Sequence, residues 1–257
     1  MTFESFNPPR TADSEAVRWT FSDMLLVAIS TLVLSVVLLL VARLPSLLGV
    51  TALQDVLSRR PLVTSMVLVG LLYSLFVVTT YFVIVRRKHV SWRELGFRVP
   101  PLLPLLLTPL VFVAQLTILI ISNLVLTFII GEFENPQVAA LTDPNGFSWT
   151  NYIVAFVTVA IVAPIVEELI FRGLLYQWLR ARSNVVVAVL ASAAIFSGAH
   201  VFPVLLPALF GVGIVLALAF EWSKSLWVTI TLHFMQNALA ISAFFFIQAN
   251  PNLVPQP

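Results

Sequence analysis

This chain of 257 residues has no cysteine and few charged residues. Without cysteine it forms no disulfide, no thiolate nucleophile and no cysteine metal site. Only 10% of its residues are charged, whereas a soluble domain carries about 25%. The formal net charge of +2 provides no basic surface of the kind that binds nucleic acid. These absences exclude thiol chemistry and an ordinary soluble domain, and no nucleic-acid partner is expected.

Hydrophobic residues make up 60% of the chain, and the mean hydropathy is +1.01. They recur in runs of about 20 residues, the length that a helix needs to cross the hydrocarbon of a bilayer. We therefore predict an all-α, polytopic membrane helix bundle with about seven transmembrane helices and with the lipid bilayer as its surroundings. The predicted spans are Asp23 to Ala42, Pro61 to Val85, Leu102 to Ile130, Asn151 to Arg180, Val185 to Phe202, Pro207 to Trp222, and Leu226 to Gln248.

The order of polar and apolar segments divides the chain into four parts. These are a polar N-terminal segment (1–22), N-terminal helices with their loops (23–150), catalytic helices (151–248) and a C-terminal tail (249–257). Lysine and arginine concentrate on the cytoplasmic side of membrane proteins. Placing the N-terminus in the cytoplasm leaves only Arg43, Arg59 and Arg60 outside, out of 14 Lys and Arg. This predicts an inner (plasma) membrane protein with a cytoplasmic N-terminus and an external C-terminus.

Two adjacent carboxylates, Glu167 and Glu168, interrupt an apolar stretch in the fourth predicted span. A charged side chain at the centre of a membrane helix costs about 2.5–3.5 kcal/mol on insertion scales. Such a pair must face a protein interior or a wet cavity and must have partners. The candidate partners are Arg172, His200, His233 and Asn237.

Helix spacing predicts a chemical role for each candidate. Glu168 and Arg172 are four residues apart and can pair on one helix face, while Glu167 points about 100° away and is free to act as a general base. If the following turn centres between residues 183 and 184, His200 reaches the depth of Glu167 and can orient a water. His233 and Asn237, also four apart, can donate hydrogen bonds to an oxyanion. These are the parts needed for water attack on an amide.

Plainer interpretations use the same residues. An intramembrane histidine often only forms a hydrogen bond between helices, and an asparagine in a span often does the same. Glu168 with Arg172 can be a purely structural pair. A metal is a further alternative, since Glu167, His200 and His233 form a two-histidine, one-carboxylate zinc set. We predict a site without a metal or other cofactor, and the residues leave the zinc alternative open.

At these residues the chain resembles the CPBP family of intramembrane endopeptidases. This family includes the type II CAAX prenyl proteases and the Abi-type bacteriocin-processing or immunity proteins. The resemblance rests on three ordered motifs between residues 151 and 241. Glu167-Glu168-Leu-Ile-Phe-Arg172 is similar to E-E-x-x-x-R, Phe196-Ser-Gly-Ala-His200 to F-x-x-x-H, and His233-Phe-Met-Gln-Asn237 to H-x-x-x-N.

The resemblance implies a site inside the bilayer that is open to the cytoplasmic side. It implies that Glu167 activates water with His200 and that His233 and Asn237 stabilise the oxyanion, with Glu168 and Arg172 in support. The expected partner is a peptide or membrane-protein substrate, for example a prenylated C-terminus. Two other functions stay open: a non-catalytic scaffold or immunity protein of the same family, and a proton-coupled transporter, because buried Glu and His also build proton relays.

Overall fold

The computed structural model describes residues 17–47, 58–133, 135–143, 146–200 and 202–253, and within these ranges every regular element is helical. Six helices are long and apolar enough to cross a membrane, which confirms the predicted all-α membrane bundle. The helices are α1 (Phe21–Leu47), α2 (Pro61–Arg86), α3 (Leu102–Ile130), the short α4 (Pro136–Ala139), α5 (Trp149–Arg180), α6 (Val185–Gly198), α7 (Leu206–Ser223) and α8 (Leu226–Ala249). Residues 1–16 and 254–257, at the ends of the predicted terminal segments, lie outside the described ranges.

Helix α6 is the exception among the predicted spans. It begins after Asn184, whose side-chain oxygen accepts a hydrogen bond from the Val187 amide at 2.9 Å. It has only 14 residues and ends at Gly198, so at 1.5 Å per residue it extends about 21 Å, less than the roughly 30 Å of the hydrocarbon core. The predicted end at Phe202 is wrong because hydropathy does not register where an apolar segment leaves the helix.

The two ends of the bundle can be told apart from contacts between helix termini. The Trp19 indole donates to the Leu174 carbonyl at 3.1 Å, beside the start of α1. The Leu226 amide donates to the Gly96 carbonyl at 2.8 Å, at the start of α8. Because the Gln177 side chain also donates to the Glu94 carbonyl at 3.3 Å, the start of α1, the last turns of α5 and the start of α8 share one end of the bundle, and α8 finishes at the other. Which end faces the cytoplasm stays a prediction.

One arginine in the charge count does not belong to a loop. Arg172 was placed on the cytoplasmic side, but its side chain is fully buried within the bundle. The remaining cytoplasmic lysines and arginines still outnumber the external ones. The charge count therefore still predicts a cytoplasmic N-terminus.

The protein core is concentrated in the second half of the chain, around α5. Phe171, Phe196, Val212 and Leu232 bring α5, α6, α7 and α8 together in one buried cluster. By contrast, α1 and α3 expose large apolar side chains along most of their length, as expected for helices that face lipid. The site residues thus lie in the most closely packed part of the bundle.

Candidate active site

Helix α5 carries both glutamates and is not uniformly α-helical. Two π-helical segments, Phe156–Val162 and Leu169–Tyr176, flank the α-helical stretch Ala163–Glu168. Pro164 lies at the start of that stretch, and a proline lacks the amide donor and crowds the carbonyl four residues before it. Widened turns of this kind are frequent at functional sites. They leave backbone carbonyls that side chains of other helices can satisfy.

Glu168 and Arg172 form the predicted pair. Arg172 Nη1 donates to Glu168 Oε1 at 2.9 Å, and both side chains are fully buried. Arg172 Nη2 also donates to the Gly213 carbonyl of α7 at 3.1 Å, and its guanidinium lies 4.7 Å from the centre of the Phe196 ring. The charge of Glu168 is therefore compensated inside the bundle, as a buried carboxylate requires.

His233, on α8, lies between the two glutamates. Its Nδ1 is 3.0 Å from Glu168 Oε1, and its Nε2 is 3.8 Å from Glu167 Oε2. Because a carboxylate only accepts hydrogen bonds, Nδ1 carries the proton in the first contact. The second distance exceeds that of a hydrogen bond. The structure thus brings His233, one of the candidate partners named from the sequence, to the glutamates.

Glu167 is the more accessible member of the pair, with 15% of its side chain exposed. Its Oε1 accepts a hydrogen bond of 2.6 Å from the hydroxyl of Tyr73 on α2. Sequence reasoning missed Tyr73, although a tyrosine in the interior of an apolar span is itself a signal, since its buried hydroxyl usually needs a partner. Oε2 faces the His233 ring.

His200 lies just past the C-terminal end of α6. Its Nδ1 is 2.9 Å from the Phe196 carbonyl, and its ring packs against the Phe196 ring at 4.9 Å between centres. The carbonyl only accepts, so the proton is on Nδ1 and Nε2 keeps a lone pair. The Phe196 ring also lies 6.0 Å from that of His233. Phe196 thus lies between His200 and the two side chains, His233 and Arg172, that pair with Glu168.

The predicted depth match between Glu167 and His200 is shifted by one turn. The Ser192 hydroxyl donates to the Phe171 carbonyl at 3.2 Å across the hairpin of α5 and α6. Continuing this antiparallel register at equal rise places Glu167 level with Phe196, one turn before His200. Part of the shift arises because α5 ends at Arg180 and α6 begins at Val185, so the turn centres between residues 182 and 183.

Two other carboxamide contacts join α8 to its neighbours. Asn237 donates to the Val159 carbonyl at 2.9 Å, in the first π-helical segment of α5. Gln115, fully buried on α3, donates to the side chain of Gln236. The structure does not place Asn237 in contact with the glutamates. Gln115 and Gln236 were also missed, because pairing between distant helices leaves no periodic signal.

The zinc alternative can be compared with this geometry. Among the described residues, no group of three or more histidine, aspartate and glutamate side chains is arranged to hold a metal ion. His200 and His233 each use Nδ1 for a contact, to the Phe196 carbonyl and to Glu168, so each keeps Nε2. A site without zinc stays a prediction.

Comparison with known proteins identifies the segment that holds this cluster. Residues 149–239 match the family described as type II CAAX prenyl endopeptidase Rce1-like. The chain is also 34% identical over 89 residues to the membrane-embedded CAAX protease MroQ of Staphylococcus aureus (strain USA300), a match that covers 32% of this chain and 36% of MroQ. No solved structure shows a significant match.

The matched segment is therefore similar to CAAX proteases, which confirms the resemblance that the three motifs indicated. With its six apolar helices, the chain is a multi-pass membrane protein. It spans only about a third of the length of MroQ. All six predicted site residues lie inside residues 149–239, whereas Tyr73 and Gln115 lie outside.

Proposed function

We propose that this protein is an intramembrane endopeptidase in which Glu167 activates the water that hydrolyses a peptide bond. The observation that supports this is the unequal environment of two adjacent carboxylates. Glu168 is fully buried and paired with Arg172, whereas Glu167 is partly exposed and has one oxygen without a close partner. A water that reaches Glu167 meets a carboxylate whose hydrogen bond comes from a neutral group, the Tyr73 hydroxyl.

The reaction balances with water as the only co-reactant. Glu167 takes one proton from water while the water oxygen forms a bond to the carbonyl carbon of the substrate, giving a tetrahedral oxyanion. The carbon–nitrogen bond then breaks, and the proton passes from Glu167 to the departing nitrogen. The products are a carboxylic acid and an amine, and Glu167 returns to its starting form.

His200 is proposed to orient the water. Its Nδ1 proton is held by the Phe196 carbonyl, so Nε2 is fixed as an acceptor for the second proton of the water. The ring is clamped against Phe196, which limits its rotation. This is an orienting role, in which Glu167 remains the proton acceptor.

His233 and Asn237 are proposed to stabilise the oxyanion. His233 already donates from Nδ1 to Glu168, so it can donate from Nε2 only as the imidazolium. Asn237 has two amide protons, of which one is held by the Val159 carbonyl, so the other can reach the substrate. Both donors would be preorganised by contacts that exist before substrate binds.

The proposed substrate is a membrane-associated peptide or a prenylated C-terminus. The family description names CAAX prenyl endopeptidases, and the relative is described as a membrane-embedded CAAX protease. The position of the glutamates within an apolar span also favours a substrate that enters from the membrane. The test therefore uses prenylated and unprenylated peptides of the same sequences.

The deciding experiment compares purified wild type with Glu167→Gln in detergent and in liposomes. We expect cleavage to fall by about 10²–10⁴-fold, the usual contribution of a general base. Glu132→Gln is the matched control, because Glu132 is exposed in the loop after α3, and it should cleave like wild type. Cleavage by Glu167→Gln at the wild-type rate would overturn the proposal. A strong chelator is included in parallel: activity that it abolishes and that zinc restores would replace this mechanism with a metal-dependent one.

A further inference from the structure

Tyr73 reaches Glu167 from a helix outside the segment that matches the family. The two residues are 94 positions apart, and the distance of 2.6 Å between hydroxyl and carboxylate oxygen is short. A hydroxyl that donates to an ionised carboxylate forms a charge-assisted hydrogen bond of about 2.5–2.7 Å. The contact is therefore of the stronger kind rather than a loose packing contact.

Because of this hydrogen bond, the two carboxylate oxygens of Glu167 have different surroundings. Oε1 is occupied by Tyr73, while Oε2 lies 3.8 Å from His233 Nε2. A carboxylate held at one oxygen by a neighbouring helix has a restricted side-chain torsion, so its second oxygen points in a fixed direction. That direction is toward the side of the site where His233 lies.

We propose that Tyr73 is a positioning residue for Glu167, which fixes the orientation of the carboxylate so that Oε2 faces the water to be activated. This inference rests on the proposed function of Glu167 as the base. Tyr73 itself need not touch the substrate. The side chain of Glu167 is contacted by Tyr73 from α2 and by His233 from α8.

The kinetic test uses Tyr73→Phe, which removes only the hydroxyl, on a peptide that wild type cleaves. A misplacement of about 1 Å at a reacting group can cost as much as ~100-fold in rate, so we expect kcat to fall by about 10- to 100-fold while KM changes less than about 2-fold. Unchanged kcat and KM would overturn the proposal. So would a loss that disappears once activity is corrected for the folded fraction, because that is the result of a purely structural role.

Tyr152→Phe is the matched control. Tyr152 lies in α5 and shares a hydrogen bond of 3.2 Å with the Ser242 hydroxyl of α8, so it is another half-buried tyrosine that links two spans. It does not touch the glutamates in the structure. Its kcat should remain within about 2-fold of wild type. An equal fall in both variants would mean that any tyrosine contact between spans has this effect, and would contradict a positioning role for Tyr73.

A substrate-free measurement separates this inference from the proposed function. Thermal midpoints are measured for wild type, Tyr73→Phe, Glu167→Ala and the double variant. Because this hydrogen bond is lost in Tyr73→Phe, the variant should lower the midpoint by about 2–4 °C when Glu167 is present and by much less when Glu167 is replaced. Equal shifts in both backgrounds would refute the contact. Coupling without any Glu167-dependent cleavage would mean that the contact is structural, and would overturn both the positioning role and the proposed function.

Discussion

Two charged clusters in this protein each pair a glutamate with an arginine, but they differ in burial. In the buried cluster, Glu168 is held by Arg172 and His233 beside Glu167. In the end cluster, near the ends of α5 and α7, Glu221 is held by Arg180 at 3.2 Å, by Lys224 at 2.7 Å and by the Tyr176 hydroxyl at 2.9 Å. Both place one carboxylate at the centre of several donors.

Solvent access separates the two. Glu168 and Arg172 are fully buried, whereas the side chains of Arg180 and Lys224 are 38% and 53% exposed. Water can replace a lost partner of Glu221 but not a lost partner of Glu168. The charge of Glu221 is therefore stabilised partly by solvent, while that of Glu168 is stabilised only by its protein partners. Only the buried cluster contains a second carboxylate, Glu167, which is hydrogen-bonded by a neutral hydroxyl, that of Tyr73.

The sharpest way to test this difference is to remove one arginine from each cluster. Arg172→Met leaves Glu168 as a buried charge with His233 as its remaining partner, and breaking a buried pair in this way costs about 3–5 kcal/mol of unfolding free energy. Arg180→Met, the matched control, should cost no more than about 1 kcal/mol. Both are measured by unfolding of the purified protein in the same detergent. Equal losses would show that burial does not distinguish the clusters.

A smaller effect is expected at Gly213, the residue whose carbonyl accepts from Arg172. A Cβ added there would lie 3.0 Å from both Cα and Cβ of Ala193, so α6 and α7 would have to move apart. Overpacking of this kind costs about 1–3 kcal/mol. Gly70→Ala is the control, because no atom lies within 4 Å of its added Cβ. A Gly213→Ala protein as stable as wild type would argue against a tight helix crossing around Arg172.

The smallest expected difference concerns salt. Charges near the surface are screened within about 10 Å at 0.1 M salt, whereas buried pairs are screened much less. In double-mutant cycles, the coupling of Arg180 with Glu221 should fall as salt is raised from about 0.05 to 0.5 M, by less than about 1 kcal/mol. The coupling of Glu168 with Arg172 should stay constant over the same range. Parallel decreases would place the second pair in contact with solvent.

The fold was largely predictable because hydropathy records which segments lipid can surround. The bounds of α3 agree with the prediction at both ends, while α6 ends early because its apolar composition continues past the helix. Within one helix, the pair of Glu168 with Arg172 follows from four-residue spacing.

Contacts between helices were not predictable in this way. The position of His233 against Glu168 depends on how α8 is rotated toward α5, and the hydrogen bond from Tyr73 joins residues 94 positions apart. A single sequence contains no periodic signal for either. The chemistry of the candidate site was therefore visible in residue types, and its geometry was not.

The hydrogen bond between Tyr73 and Glu167 also affects which hybrids of this protein and a relative can keep an intact site. The segment 149–239 carries the glutamates and histidines, but one donor to Glu167 comes from α2. A hybrid that joins this segment to the first helices of a relative would keep all three motifs and still lose that donor unless the incoming helix supplied a tyrosine at the matching place. Exchange of either half therefore has to preserve the pair, and a motif count alone does not measure whether two halves are compatible.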